Sequence, residues 1–431
     1  MRRAGLKPCP SPAWLVALPF VGLAALLLIT SNPGPALVND TRASAVASWT
    51  LGTQGQLALP ETWPASHNYW GMEAPDGNVY VNRFPGVAYW AAPAYAVHSI
   101  FAGSSVPAHP FLVDLRPAAW MAALTVALAG FIGFLLLRKL VPDPWALTAA
   151  GVMTLGTGLW SVAADALWPH GPTALLLLLT LLGWRDRRPV LAGVAAAGCV
   201  LVRPHLAVAL AVLALYAWRG ERHRGDALAL LAGLVVGLLA LVAYSQAVFG
   251  VWTPTAGYDV AGHLGGLVHH GPGQTVGAFF SALMGLERGV LVYTPVVAAA
   301  LAALAWHRHR LPRWTLASLL AGIAYLVAQV RAVGPLGGEQ FFGARISLET
   351  LVLAAPALVV AAHRAASRSR VWLAVLVLAG LVSVGIHGYG AMLRSVDPEE
   401  VERWRGIEQL VESEFGDLEP HEADLRGGPT D

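Results

Sequence analysis

Charge is what this sequence has least of. Asp, Glu, Lys and Arg make up only 13% of its 431 residues, about half the share of an ordinary soluble domain. That is too little to cover the surfaces of the two or three soluble domains a chain of this length would form. A soluble enzyme is thereby excluded, and with 56% hydrophobic residues so are a disordered and a fibrous chain. Two cysteines, Cys9 and Cys199, are too few for a disulfide framework. Cys9 precedes the first apolar run, so it is not placed like a lipidation cysteine behind a signal segment. Walker loops, G-x-G-x-x-G turns after strands, H-E-x-x-H and C-x-x-C are all absent, which leaves ATP-driven transport and zinc chemistry without support. The net charge of +2 implies no nucleic-acid partner.

What is present is a series of apolar runs. Stretches of roughly 17–25 residues are long enough to cross a bilayer as helices. They fall near 13–30, 117–138, 145–164, 171–184, 189–203, 204–218, 226–249, 289–306, 312–330, 346–366 and 371–388. A further run, 86–102, is apolar but holds Pro93 and the interface-favouring Tyr89, Trp90 and Tyr95. The few charges decide its placement. Short connections at 138–144, 185–188, 219–224, 307–313 and 364–370 carry fourteen Lys or Arg residues, and the N-terminus adds three. The positive-inside rule puts them all on the cytoplasmic side. They share that side only if 86–102 lies on the outer membrane surface instead of crossing.

The expectation is therefore an all-α, polytopic plasma-membrane protein with eleven spans and juxtamembrane helices on the outer face. Its N-terminus is cytoplasmic and its C-terminus extracytoplasmic. Residues 1–388 form the membrane domain, with large outer loops at 31–116 and 250–288. Residues 389–431 form an outer tail; twelve of the 26 acidic residues lie between Asp397 and Asp431. The cytoplasmic connections are too short to build a site, so chemistry is expected outside.

Ionisable groups at membrane depth are costly and usually functional. Those at the outer ends of the spans are Asp40, Arg42, Asp76, Arg83, Asp165, His170, Arg203, His205, Asp259, Glu287, Arg288, Glu339, Arg345 and Glu349. Arginines over a membrane cleft suit a lipid-linked phosphate, and a carboxylate among them suits a base acting on an acceptor. Asp40 stands about ten residues beyond the first span, before a helical segment 43–51 that it is placed either to cap or to serve as a base. Asp76-Gly77 reads as a tight turn into an extended segment, Val79-Tyr80-Val81. For His170, Arg203, Arg288, Arg345 and Glu349 the structural alternative is a satisfied polar residue or an intramembrane ion pair.

The layout resembles the GT-C superfamily of polyprenyl-phosphate-sugar-dependent glycosyltransferases, in particular bacterial relatives of the protein O-mannosyltransferases and lipid A aminoarabinose transferases. The resemblance rests on order. One span is followed by a long outer loop with an early acid and a helix ending in Gly, from Asp40 to Gly55. Next come Arg83-Phe84-Pro85-Gly86 and Ala88-Tyr89-Trp90-Ala91-Ala92-Pro93. Further pieces are Leu167-Trp168-Pro169-His170, Val202-Arg203-Pro204, Phe249-Gly250 with Gly257-Tyr258-Asp259, Arg288 through Pro295, and Phe342-Gly343-Ala344-Arg345.

The resemblance implies Asp40 as base or acceptor-positioning group and Arg83 close to the donor phosphate. Arg203, Arg288 and Arg345 become lipid-phosphate contacts, and Asp76, His170 and Asp259 complete the candidate substrate-binding set. It further implies a lipid-linked sugar donor, a glycan, lipid or protein acceptor, and an inverting transfer. A divalent metal is possible in such enzymes, but Thr41 stands where a second acid often follows the first, and no D-x-D pair is present. The large soluble C-terminal domain of many relatives has no counterpart, which leaves acceptor recognition unassigned. A polytopic transporter or flippase of lipid-linked sugars, and a non-catalytic assembly partner using the acidic tail, are the alternative classes.

Overall fold

The computed structural model of the chain describes residues 13–31, 39–66, 69–219, 224–255, 272–308, 311–334 and 341–392. Helices dominate: α1 (Ala13–Thr30), α2 (Asn39–Gln54), α3 (Pro85–Ala102), α4 (Arg116–Leu137), α5 (Asp143–Leu155), α6 (His170–Arg185), α7 (Pro189–Val202), α8 (Ala207–Trp218), α9 (Arg224–Phe249), α10 (Pro272–Met284), α11 (Pro295–His307), α12 (Arg313–Val333), α13 (Leu348–Ala366) and α14 (Arg370–Met392). A two-stranded antiparallel hairpin, β1 (Gly71–Glu73) with β2 (Val79–Val81), interrupts them and pairs Met72 with Tyr80. The purely α expectation thus omits one small element, built on the extended segment that follows the Asp76-Gly77 turn.

Five helical segments are long and apolar enough to cross a membrane: Arg116–Leu137, Arg224–Phe249, Arg313–Val333, Arg345–Ala366 and Arg370–Met392. Shorter apolar helices lie at Leu18–Thr30, Pro189–Val202, Pro204–Trp218 and Pro295–His307. The protein is a multi-pass membrane protein. Each of the eleven expected spans is at least partly helical, but two are not continuous. In 145–164, α5 ends at Gly156 and a π-helical turn, Leu159–Ala163, follows. That turn seats Trp160 against Gly388 of α14, where an added Cβ would lie 3.0 Å from the indole ring. In 289–306, the residue before Pro295 is forced out of the helical region; Thr294 sits at φ −132, ψ 68 and splits a short turn, Val290–Tyr293, from α11.

The basic connections gather at one end of the bundle. Lys139 Nζ meets Asp186 at 2.9 Å, joining the α4–α5 and α6–α7 connections, and Arg187 Nη1 meets Asp226 of α9 at 3.2 Å. Because α4 and α6 run away from Arg116 and His170, the opposite end carries Asp40, Arg83, Arg203 and Arg345. The charge segregation read from the sequence is thus a physical property of the bundle. The 393–431 tail, the loop segment 256–271 with Asp259, and Glu339 lie outside the described residues.

At that second end α2 and α3 pack on each other and on the bundle. α2 is unusual because Thr41 through Thr50 are all buried although the helix is not apolar. Its hydroxyls are satisfied within the helix: Ser44, Ser48, Thr50 and Thr53 each donate to the carbonyl four residues back, at 2.7–3.0 Å. These four hydroxyls are thereby made fit for burial by the helix's own backbone, while Arg42 lies over the Phe111 ring at 4.1 Å. Gly86, in the first turn of α3, allows the closest approach to the bundle. A Cβ there would lie 2.6 Å from the Leu201 carbonyl oxygen and 2.7 Å from the Val202 nitrogen of α7, both backbone atoms that cannot rotate away.

Gly86→Ala is therefore expected to lower stability by about 1–3 kcal/mol through overpacking. Thermal unfolding in detergent checks this, and an unchanged midpoint would show that α3 does not depend on this contact.

Candidate functional site

The outer-end arginines converge on Asp40. In the first turn of α2 its carboxylate faces two guanidiniums, one per oxygen: Arg83 Nη2 lies 2.5 Å from Oδ1, and Arg345 Nη1 lies 3.6 Å from Oδ2. The sequence places Asp40 before the helix; the helix in fact begins at Asn39, so the carboxylate is carried inside the first turn. Arg83 arrives from the strand β2 just before Pro85 starts α3, and Arg345 from a 3₁₀ turn, Arg345–Ser347, that opens α13. The three residues are separated widely in sequence and meet only in the fold.

Aromatic rings hold the guanidinium planes. Arg83 lies over Trp70 at 4.1 Å. Arg345 lies over Trp168 at 4.3 Å and over Phe341 at 4.2 Å, and Arg288 lies over the same Phe341 ring at 4.3 Å. Stacking of this kind fixes the orientation of the guanidinium planes. Trp70 has φ 52, a left-handed conformation rare for a bulky residue, in the same place. Burial alone would raise the pKa of Asp40. The charges of Arg83 and then Arg345, with hydrogen bonds from Arg83 and Trp70, outweigh it and hold the carboxyl below its ordinary range.

Beneath this cluster lies a second, centred on the fully buried Glu349. Glu349 Oε1 accepts from His170 Nδ1 at 2.8 Å, Thr173 Oγ1 at 2.9 Å and Arg203 Nη1 at 3.0 Å. Arg203 also donates from Nη1 to His170 Nε2 at 3.0 Å and from Nε to His205 Nε2 at 3.1 Å. The same Arg203 Nη1 lies 2.7 Å from His170 Nδ1, so the cation sits against the edge of the ring. His205 stacks on Tyr325 of α12, with ring centroids 5.6 Å apart. The network ties α6, the α7–α8 turn, α12 and α13 together. It carries Trp168, two residues before His170, and Arg345, four before Glu349.

Of the sequence-derived candidates, Asp40, Arg83, Arg345 and Arg288 therefore meet in one aromatic-walled cluster, while His170 and Arg203 meet in the network below it. Asp76 joins neither. Its oxygens accept from the Asn78 backbone at 3.0 Å, the Asn78 side chain at 2.9 Å and Tyr80 Oη at 2.8 Å, all inside its own hairpin. Asp259 falls outside the described residues. The seat of Asp40 does not fit a metal ion: both oxygens face cations, Thr41 is buried in α2, and no three His, Cys, Asp or Glu side chains converge among the described residues.

The sequence reading did not assign the aromatic shelves Trp70 and Phe341, nor His387. The ring of His387 is buried in α14 between Ser161 Oγ, 2.8 Å from Nδ1, and Thr294 Oγ1, 3.0 Å from Nε2, and so joins both broken spans. The available signal was a lone imidazole in an apolar run.

The chain matches no protein-family model and no curated protein. Among solved structures it is similar to the Archaeoglobus fulgidus oligosaccharyltransferase in complex with Zn and sulfate, with a TM-score of 0.52 and 14% identity. The match covers 94% of this chain and 57% of that one, so the chain spans little more than half the length of its structural neighbour. The apo form of the same enzyme aligns at a TM-score of 0.47 and 12% identity. The likeness is one of fold and extends over nearly the whole of this chain.

Glu349→Ala leaves the Arg203 guanidinium buried without its carboxylate, at an expected cost of about 3–5 kcal/mol. Chemical or thermal unfolding of the purified protein measures this. A loss below about 1 kcal/mol would mean that water reaches Arg203.

Proposed function

We propose that this protein is an inverting glycosyltransferase that moves a sugar from a polyprenyl-phosphate carrier to an extracytoplasmic acceptor. The observation that carries the reading is Asp40 set between Arg83 and Arg345 at the end of the bundle opposite the basic connections. The oligosaccharyltransferase-like fold supports it. In this reading the chain crosses the plasma membrane eleven times with its N-terminus inside, and α3 lies along the outer surface beside the entrance for the carrier lipid.

The chemistry follows from the groups present. The acceptor hydroxyl attacks the anomeric carbon as the bond from that carbon to the phosphate oxygen breaks. The bonding pair leaves with the phosphate, and the hydroxyl proton passes to Asp40. Charge grows on the phosphate in the transition state, where Arg83 and Arg345, fixed on Trp70, Trp168 and Phe341, stabilise it without reorganising. Arg288, on the other station of the Phe341 ring, adds a third cation to the same wall. The Glu349–Arg203–His170 network acts through position: it holds Trp168 and Arg345 at the height of Asp40. No step is assigned to a metal ion, because the residues described do not fit one.

The test is transfer from a radiolabelled polyprenyl-phosphate sugar in membranes containing the protein. Asp40→Asn is expected to abolish transfer, and Arg83→Ala and Arg345→Ala to reduce it by about 10²-fold each. Full transfer by Asp40→Asn would remove Asp40 from the reaction. Counterflow of a lipid-linked sugar in proteoliposomes without transfer would replace the reading by transport.

A further inference from the structure

His387 belongs to neither cluster, yet three segments that build the outer wall meet on its ring. The imidazole is completely buried in the last turns of α14. Its Nδ1 lies 2.8 Å from Ser161 Oγ and its Nε2 lies 3.0 Å from Thr294 Oγ1. The Phe342 ring meets it edge to face, with centroids 6.1 Å apart. Gly343, at φ 77, turns the chain beside the ring, where an added Cβ would lie 3.5 Å from His387 Cε1.

Each of these segments runs straight into the site. The π-helical turn of Ser161 leads to Trp168, which lies under Arg345 at 4.3 Å. Thr294 N–H donates to the Val290 carbonyl at 2.9 Å and Tyr293 N–H to that of Gly289 at 3.0 Å, so the turn behind Thr294 ties it to Arg288. Phe342 and Gly343 stand between Phe341 and Arg345. Arg288 and Arg345 share the Phe341 ring, at 4.3 and 4.2 Å. The positions of both guanidiniums, and of the rings beneath them, therefore trace back to one imidazole.

The chemistry of that side chain suits the task. A buried imidazole is costly unless its nitrogens are hydrogen-bonded, so an aliphatic residue would fill the space at lower cost. A neutral ring offers one donor and one acceptor nitrogen in a rigid plane, and a hydroxyl can answer either. The ring thus holds Ser161 and Thr294 at a fixed separation. It does so where both spans are broken and the backbone has lost its regular helical restraint.

We infer that His387 is a positioning residue for the phosphate: by joining the π-helical turn, the Thr294 break and the Phe342–Gly343 turn, it sets the spacing of Arg288 and Arg345 across the Phe341 ring. The inference rests on the proposed glycosyl transfer and deepens it. The Glu349 network carries Trp168 and Arg345; His387 brings Arg288 and Phe341 into the same frame. No proton is assigned to it.

Retention of radiolabelled undecaprenyl phosphate is measured on the purified, detergent-solubilised full chain, with undecaprenol as the uncharged control. His387→Leu is expected to bind the phosphate lipid about tenfold more weakly, with undecaprenol unchanged. A role confined to stability would move both lipids alike. Added to Arg345→Ala, the same substitution is expected to cost less than about threefold more, because part of its effect passes through Arg345. Thr294→Val, which removes one hydroxyl at nearly constant shape, is expected to weaken phosphate binding about threefold and decides the matter if the Leu variant does not fold.

Unchanged phosphate binding by His387→Leu and Thr294→Val overturns the inference. So does an equal loss of undecaprenol, or a further loss of about tenfold in the Arg345→Ala background. The two readings fail separately. A phosphate-selective loss with no sugar transfer by the wild type leaves the positioning role standing and removes glycosyl transfer. Transfer by the wild type, with phosphate binding untouched in both variants, leaves the transferase standing and removes the role of His387.

Discussion

An arginine at the depth of Arg203 is stable only against a carboxylate, and the architecture around the site is arranged to satisfy that requirement. Taking a guanidinium out of water costs several kcal/mol unless a counter-charge and further hydrogen bonds replace the solvent. Glu349 supplies the charge, and His170, Thr173 and His205 supply the remaining bonds. These residues come from α6, the α7–α8 turn and α13, so the requirement for neutrality doubles as a requirement on helix position. Trp168 and Arg345 are carried by the same segments. The outer cluster inherits its geometry from the buried one.

The two clusters differ in what they do with charge. The inner one is buried: Glu349, His170, Thr173 and Arg203 are almost inaccessible, and Glu349 Oε1 gathers three donors. The outer one is open, with arginines stacked on rings and a half-exposed carboxylate between two of them. Stacking on aromatics is a way to keep a cation in place. The inner cluster fixes the helices, and the outer one sets its charges at the end of the bundle.

Much of this was legible in the sequence, and the reason is the scarcity of charge. With so few ionisable residues, each one at an outer helix end was worth naming, and Asp40, Arg83, Arg288 and Arg345 prove to be neighbours. The basic connections also predicted which helix ends lie together, and Lys139–Asp186 and Arg187–Asp226 show that they do. What the sequence could not show was pairing. Nothing in the local pattern around Glu349 says that its partner is Arg203, 146 residues away, and nothing around Trp70 says that it will lie under Arg83. Asp76 misled for the converse reason: its turn chemistry is entirely local, and local chemistry is enough to explain it. The breaks at Gly156 and Thr294 escaped a reading by hydropathy, because an interrupted helix can be as apolar as a continuous one.

The short helices around the site bear on the bilayer itself. α6, α7 and α8 have 16, 14 and 12 residues, which at about 1.5 Å per residue gives lengths of only ~18–24 Å. A hydrocarbon layer is about 30 Å thick, so these helices fall short of spanning it at its relaxed thickness. Arg203 and His170 stand at their ends, with Arg345 beside them. Helices this short hold the His170 and Arg203 end of the bundle closer to the opposite, basic end than the five long spans do.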